Sequence, residues 1–364
     1  MYPTVLITFE INENCKVSHP KLQETMSFTV TIDSSGHQFD IEENETVLDA
    51  AIRQNVGLPY GCRNGRCGAC AADLVSGEVT YHGSPPALDD IGAGKCLPCQ
   101  GFAASDLRIA AREVETPEEI EVKLLPVRVH AVDHLTHDVV RLKLKLPDNQ
   151  RLQFRAGQYL DFLLADGRRR AFSIANAPFD DEFIELHIRH VDGGKFTDWV
   201  FNQMKERSIL RIQAPLGTFV LDEDSARPMI FMGGGTGFAP LKGQIEQAFR
   251  SQMPQPIHLY WGVRAQRDLY LPELPQRWAR EHANFTFVPV LSEPDADWRG
   301  RSGFVHEAVL EDFPDLSGFD LYMAGPPPMV SAGREACLAA GMPEAHMHFD
   351  SFDYADDSGA SGGA

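Results

Sequence analysis

A chain of 364 residues with 43% apolar and 23% charged side chains is long enough for two or three domains, each with its own core. Its formal net charge of −19 argues against a nucleic-acid partner, whose phosphates would repel such a surface. No apolar run approaches the roughly 20 residues needed to span a bilayer, and no opening segment reads as a signal peptide, so a cytoplasmic setting without membrane insertion is expected.

Residues 1–25 are weakly patterned and read as an N-terminal extension. From Ser27 the pattern sharpens. Phe28-Thr29-Val30-Thr31-Ile32 alternates as a strand, Ser35-Gly36 turns, and Gln38-Phe39-Asp40-Ile41 returns as a second strand. A helix is expected over Val47–Gln54, with acids in its first turn and a stop near Gly57 and Pro59. Then comes Gly61-Cys62-Arg63-Asn64-Gly65-Arg66-Cys67-Gly68-Ala69-Cys70. Its C-x4-C-x2-C spacing, with a further cysteine downstream, is the plant-type ligand pattern of a [2Fe–2S] cluster. The glycines let the loop turn tightly and aim amide N–H groups at sulfur. Zinc more often takes C-x2-C pairs, and a disulfide scaffold would need an oxidising compartment. Cys62, Cys67 and Cys70 are the first three ligand candidates. The fourth lies in Lys95-Cys96-Leu97-Pro98-Cys99-Gln100, where Cys99 is preferred and Cys96 is its rival. Cys15 and Cys337 read as bystanders among the seven cysteines. Short strands at Ala71–Leu74 and Leu107–Ala110 complete a β-grasp outline for residues 26–114. This unit is itself acidic, with 16 acidic against 8 basic residues over 1–115, which suits either solubility or a basic patch on a protein partner.

An acidic, apolar-poor stretch over 115–121 reads as a linker. Beyond it, β-like segments recur at short intervals: Lys123–Val132, Val139–Leu146, Tyr159–Leu164, Arg170–Ile174, Phe183–Arg189 and Ile209–Gln213. This favours an antiparallel barrel over 122–225, with one helix at Lys195–Lys205. Two pieces of it suit a phosphate-bearing aromatic ligand. Arg170, Phe172 and Ser173, with Ile174 following, put a cation, a ring and a hydroxyl on one strand. The cation would meet a phosphate, the ring would lie against a flavin, and the hydroxyl would hydrogen-bond near its reactive nitrogen. Gly193-Gly194-Lys195-Phe196-Thr197 opens the helix, where N–H groups can cradle a pyrophosphate. Each piece alone is weak, since a surface strand and a capped turn look the same.

After Ser225 the pattern becomes strand, helix, strand, helix. Strands are expected at Pro228–Met232, Ile257–Gly262, Phe285–Leu291 and Phe319–Ala324, and helices at Pro240–Arg250, Glu273–Glu281 and Val305–Leu310. This predicts a parallel, doubly wound sheet over 226–354, followed by a polar tail over 355–364. Gly233-Gly234-Gly235-Thr236-Gly237 reads as a glycine turn through which a dinucleotide approaches the backbone, although it is not G-x-G-x-x-G. Ala324-Gly325-Pro326 ends what reads as the last long strand at the same edge, as a candidate nicotinamide floor. Arg264 and Arg267 follow another strand there, within reach of a ribose or its 2′-phosphate.

The cysteine loop, R-x-F-S, GGGTGFAP and AGPPPM, in that order, resemble the ferredoxin–NADP reductase superfamily, specifically its one-chain members with an N-terminal plant-type ferredoxin. The resemblance spans about residues 26–354. It implies FAD on the barrel, NAD(P)H on the last domain with NADH favoured, and electron flow through the cluster to a separate protein. The runs RRRAFSIANAPF, IELHIR and GFVHEAVLEDFPDLS are most similar to the CDP-6-deoxy-Δ3,4-glucoseen reductases, whose partner is the dehydratase of 3,6-dideoxysugar synthesis. Reductase components of Rieske dioxygenases and diiron monooxygenases share the scaffold and give the alternative acceptor. A nucleotide-binding redox sensor without a partner enzyme is the rival of another class. Asp350-Ser351-Phe352 resembles the acidic-x-aromatic element that closes over the flavin, which adds Asp350 and Phe352 to Ser173 as candidate catalytic residues. Phe172 stands where the family usually has Tyr, and Ala324 where many members have Cys.

Overall fold

The computed structural model describes residues 27–42, 44–61, 63, 65–66, 68–111, 113 and 120–352. The expectations for residues 1–25, for most of the linker, for the tail 355–364 and for Cys62 and Cys67 lie outside them. Three larger sheets carry the fold.

The first sheet is ordered Gln38–Ile41, Phe28–Ile32, Leu107–Ala110, Ala72–Ser76, Lys95–Cys96. Phe28–Ile32 runs antiparallel to the strand that follows it and parallel to Leu107–Ala110, the pairing a β-grasp requires. Helix Val47–Arg53 begins where the Thr46 side chain accepts from Asp49 N, and it buries Val47, Leu48, Ala50 and Ala51. Val30, Ile32, Leu48, Leu97 and Ile109 share the core that results. A separate pair, Val79–Tyr81 with Gly101–Ala103, was not expected because three-residue strands carry too little alternation to read.

The second sheet runs Arg169–Ser173, Tyr159–Leu163, Ile209–Leu216, Lys123–His134, Val139–Lys145, Ile184–Arg189, antiparallel throughout. A bridge between Ile174 and Leu186 joins its two edges and closes the barrel. Alternate residues point inward, so Leu142, Leu160, Phe162, Leu186 and Ile188 fill the interior. Helix Lys195–Asn202 covers one end with Phe196 and Val200, and stops three residues short of the expected Lys205.

The third sheet is wholly parallel, ordered Arg301–Ser302, Phe285–Leu291, Ile257–Val263, Met229–Gly234, Asp320–Gly325, Met347–Ser351. Strand order reverses beside Met229–Gly234, and the crevice at such a switch point is where ligands of doubly wound sheets sit. Two expectations are corrected here. Phe319–Ala324 is not the last strand, because Met347–Ser351 adds to its far side. The Gly233–Gly237 turn is shorter than expected: Gly233 and Gly234 belong to the strand, and only Gly235–Gly237 turn before helix Phe238–Arg250. Helix Pro327–Ala339 was also unforeseen, since its opening prolines read as loop although proline is well placed in a first turn.

Candidate functional site

A cleft of about 440 Å³ lies where the three sheets meet, and residues from all three line it. The barrel supplies its floor. Arg170, Phe172 and Ser173 reach it from Arg169–Ser173, as do Gly194, Phe196 and Thr197 from the start of the barrel helix. Phe172 leans on Phe162 and Phe196, with ring centroids 5.8 and 5.7 Å away. Arg170 Nη1 donates to Arg169 O at 2.8 Å. Thr197 Oγ1 accepts from Val191 N at 3.2 Å and donates to Gly194 O at 3.1 Å, which fixes the turn that opens the helix. Gly193 there has φ +79°, and a Cβ on Gly194 would meet Thr197 Oγ1 at 2.7 Å. Gly193 and Lys195 flank the cleft without lining it, and Ile174 is buried in the barrel core.

The β-grasp unit forms one wall through Thr46, Asp49, Gly61, Arg63, Cys99 and Gln100. Cys70 and Cys99 are both buried, although only Cys99 of the two lines the cleft. Gln100 Nε2 donates to Arg63 O at 2.8 Å and so ties the fourth-cysteine segment to the cysteine loop. Gly65 and Gly68 have φ of +76° and +69°, and a Cβ on Gly65 would lie 2.7 Å from Pro85 Cβ, so these two positions favour glycine. Cys96, by contrast, is in the strand register opposite Ala72, and burial pushes its thiol up to about 11.

The β-grasp unit is fastened to the barrel beside this wall. Tyr60 N donates to Thr218 Oγ1 at 3.0 Å, Thr218 Oγ1 to Tyr60 O at 3.1 Å, and Gly217 N to Tyr60 Oη at 2.9 Å. Arg63, a non-glycine residue at φ +55°, turns its guanidinium toward Asp49 and lies 3.6 Å from Asp161 of the barrel. Burial raises the pKa of Asp161, against the pull of Arg63 and Arg169. Sequence reasoning missed Tyr60, Arg63, Tyr159 and Asp161, and the left-handed residue inside the cysteine loop has no compositional signal.

The parallel sheet forms the opposite wall. Ser173 Oγ lies 3.5 Å from Asp350 Oδ2, and both are buried. Phe352 N donates to Gly325 O at 2.8 Å, which carries Asp350, Ser351 and Phe352 into the cleft. Of the glycine turn, Thr236 lines the cleft, whereas Gly234, Gly235 and Gly237 lie behind it. Their smallness has a packing cause. A Cβ on Gly237 would lie 1.9 Å from Ala324 O, one on Gly234 2.4 Å from Met329 Sδ, and one on Gly235 2.8 Å from Arg189 Nη1. Trp261 Nε1 donates to Gly235 O at 2.9 Å and holds the turn. Ala324 and Gly325 end the neighbouring strand, and Pro326 caps the helix after it. Arg264 is exposed beyond the end of Ile257–Val263, outside the cleft.

Two buried polar atoms at the junction, Arg63 Nη1 and Tyr159 Oη, have no hydrogen-bond partner among the described residues. Arg63 Nη1 still faces the Asp161 carboxylate at 3.6 Å, and since buried polar groups are normally satisfied, Tyr159 Oη beside it is open to a ligand with a polar edge. With the aromatic floor, the cation at Arg170 and the thiols of Cys70 and Cys99, the residues present fit a flavin in the cleft and an iron–sulfur cluster behind its wall.

Comparison with known proteins agrees with this arrangement. Residues 30–104 match the 2Fe-2S iron-sulfur cluster binding domain, 126–221 the oxidoreductase FAD-binding domain, and 231–335 the oxidoreductase NAD-binding domain. The chain is 38% identical over 328 residues to the CDP-6-deoxy-L-threo-D-glycero-4-hexulose-3-dehydrase reductase of Yersinia pestis, covering 90% of this chain and 99% of that one. It is 33% identical over 329 residues to a terephthalate 1,2-dioxygenase reductase component of a Comamonas species, covering 90% and 98%. Among solved structures, an Amycolatopsis cytochrome P450 reductase superposes with a TM-score of 0.76 at 34% identity, over 89% of this chain and 98% of that one.

Proposed function

The chain belongs to the ferredoxin–NADP reductase superfamily, among the one-chain reductases that carry their own [2Fe–2S] domain, and we propose that its electron acceptor is a sugar-nucleotide dehydratase. The protein is an NAD(P)H-dependent oxidoreductase that uses FAD and a [2Fe–2S] cluster. When bound, the flavin converts the electron pair of a hydride into the single electrons a cluster can carry. The observation that bears most on this reading is a cleft walled by all three sheets, with Cys99 on one side and Asp350 on the other.

In this reading Cys62, Cys67, Cys70 and Cys99 hold the cluster within residues 26–114. Arg170 and the helix start at Gly193–Thr197 take the flavin phosphates in the barrel of residues 122–225, and Phe172 and Ser173 take its ring. Gly234–Gly237, Ala324–Pro326 and Arg264 take the nucleotide in residues 226–354, with NADH as the donor. Ser173 and Asp350 hold the polar edge of the reacting ring, and Phe352 covers it. The β-grasp wall excludes water from the path between the cleft and the cluster.

The dehydratase reading is supported by the Yersinia relative, which is named for such an enzyme. An oxygenase component is the second reading, favoured by the Comamonas relative. Among the described residues no helix is long and apolar enough to cross a membrane, and seven cysteines suit the reducing cytoplasm in which we place the protein. The test is reconstitution: with NADH, the protein should drive turnover of a CDP-sugar dehydratase. Turnover only of an oxygenase component would select the second reading.

A further inference from the structure

A chain of buried polar groups crosses from the barrel to the parallel-sheet unit beside the cleft. His187, on strand Ile184–Arg189, lines the cleft and is 4% exposed. Its Nε2 lies 3.0 Å from Glu185 Oε1 and its Nδ1 3.1 Å from Tyr270 Oη. Glu185 in turn is 3.4 Å from Lys242 Nζ, which donates to Glu246 Oε2 at 3.0 Å and to Ala175 O at 3.1 Å. A carboxylate only accepts, so Nε2 carries the proton of a neutral imidazole and Tyr270 donates to Nδ1. Burial lowers the His187 pKa further from protonation. Burial also works to raise the Glu185 carboxyl, but the His187 bond and Lys242 outweigh it and hold the group well below the usual range.

At its far end the chain reaches the glycine turn. The Tyr270 ring meets Trp261 edge-on, with centroids 5.0 Å apart at 81°, and Trp261 is the residue that donates to Gly235 O. Arg189, two residues beyond His187 on the same strand, pairs with Asp138 at 3.0 Å and lies against Gly235. One barrel strand therefore grips the turn twice, once directly and once through Tyr270 and Trp261.

We propose that the Tyr270–His187–Glu185–Lys242 chain is a positioning device that fixes the glycine turn against the barrel wall, and so sets how closely the nucleotide faces the flavin. This rests on the reading that the cleft floor takes the flavin and the glycine edge the nucleotide. Reacting atoms must approach to about 3–3.5 Å, and a misplacement near 1 Å costs on the order of a hundredfold in rate. A chain of satisfied hydrogen bonds between two rigid units supplies such precision, and losing one partner leaves another buried and unsatisfied. The groups facing His187 are Glu185 and Arg141 from the barrel and Tyr270 and Lys242 from the other unit. Arg189 stands beside Tyr270, Glu246 pairs with Lys242, and Asp180 faces Glu246. Protonation at Nδ1 would remove the acceptor Tyr270 uses, so the positioned state has an acid limit set by this ring.

The experiment measures flavin bleaching by saturating NADH in stopped flow, across pH, for the holoenzyme and four variants. Tyr270→Phe should slow bleaching by about tenfold to a hundredfold while half-saturation by NADH changes less than about threefold. His187→Asn, whose side-chain oxygen can stand near the place of Nδ1, should retain more rate than His187→Leu and lose the acid limb. Tyr260→Phe, which removes a bond to Asp312 at 2.6 Å away from the cleft, should lower thermal stability and leave the rate alone. Histidine ¹⁵N spectra of the oxidised holoenzyme should show the Nε2–H tautomer for His187. Rates within twofold of wild type for both Tyr270→Phe and His187→Leu, or an Nδ1–H tautomer, would overturn the proposal. A wild-type protein that binds flavin but is not bleached by NADH would instead overturn the reading beneath it.

Discussion

Ser173 and Asp350 are 177 positions apart in the chain, and their side-chain oxygens lie 3.5 Å apart across the seam between barrel and parallel sheet. Each stands on a strand edge: Ser173 pairs with Tyr159 in the barrel, and Asp350 pairs with Ala324 beside the glycine turn. The contact therefore joins the proposed flavin floor to the proposed nicotinamide floor.

Ser173→Ala should slow flavin bleaching by NADH about tenfold, as expected when one hydrogen bond of roughly 1–1.5 kcal/mol is lost from the reacting edge. Flavin content should stay near wild type, because Arg170 and Gly193–Thr197 are untouched. Stopped flow together with the flavin-to-protein absorbance ratio checks both. Unchanged bleaching would remove Ser173 from the reacting edge.

Gly237→Ala should destabilise the protein by about 3 kcal/mol, the upper end of typical overpacking costs, because its Cβ would lie 1.9 Å from Ala324 O. Gly318→Ala is the matched comparison: nothing lies within 4 Å of the added carbon, so its effect should stay within about 0.5 kcal/mol. Urea unfolding of both variants tests the difference. Equal costs would show that the strand and turn can spread apart.

Much of the fold was legible because local pattern and tertiary role coincide. Phe28–Ile32 alternates since one face is buried, and Met229–Gly234 is apolar throughout since both faces are covered. The unread parts lacked such agreement. Met347–Ser351 is short and mixes His348 and Asp350 with apolar residues, yet it delivers Asp350 and Phe352 to the site. Arg170, Phe172 and Ser173 were readable as one strand, whereas Arg63, Tyr60 and Asp161 become neighbours only when two domains dock. His187 sat unnoticed inside the run IELHIR, where a lone histidine on a strand has no pattern. The glycine turn was read for its ligand, but packing against Ala324 and Met329 already requires its small residues.

Acid should weaken the interdomain contact through His187 and Glu185, with the same sign for both. Burial depresses the His187 pKa below its ordinary 6.5, so the unfolded chain takes up that proton first as pH falls, and stability drops from about pH 6.5 downward. Glu185 is held below its ordinary 4.5, so its contribution is present above that value and is lost as pH falls beneath it. The thermal midpoint should therefore fall between pH 7.5 and 5 by more in wild type than in His187→Asn. Parallel falls would show that His187 is protonated alike in both states.

Cys99→Ser should lose the cluster's visible absorbance, whereas Cys96→Ser should keep it. Cys99 borders the cleft wall, and the Gln100 that follows it bonds to the cysteine loop at Arg63 O, while Cys96 sits in a strand opposite Ala72. Iron and sulfide analysis after chelator treatment measures the contrast. Retained iron in Cys99→Ser with loss in Cys96→Ser would exchange the two assignments.

The most direct test of the electron path is anaerobic NADH titration of wild type and Cys67→Ser, read at the flavin and iron–sulfur bands with an added protein acceptor. Wild type should bleach at both bands and reduce the acceptor. Cys67→Ser should bleach its flavin and leave the acceptor oxidised. Acceptor reduction that survives in Cys67→Ser, or a colourless wild-type protein holding zinc, would contradict the account.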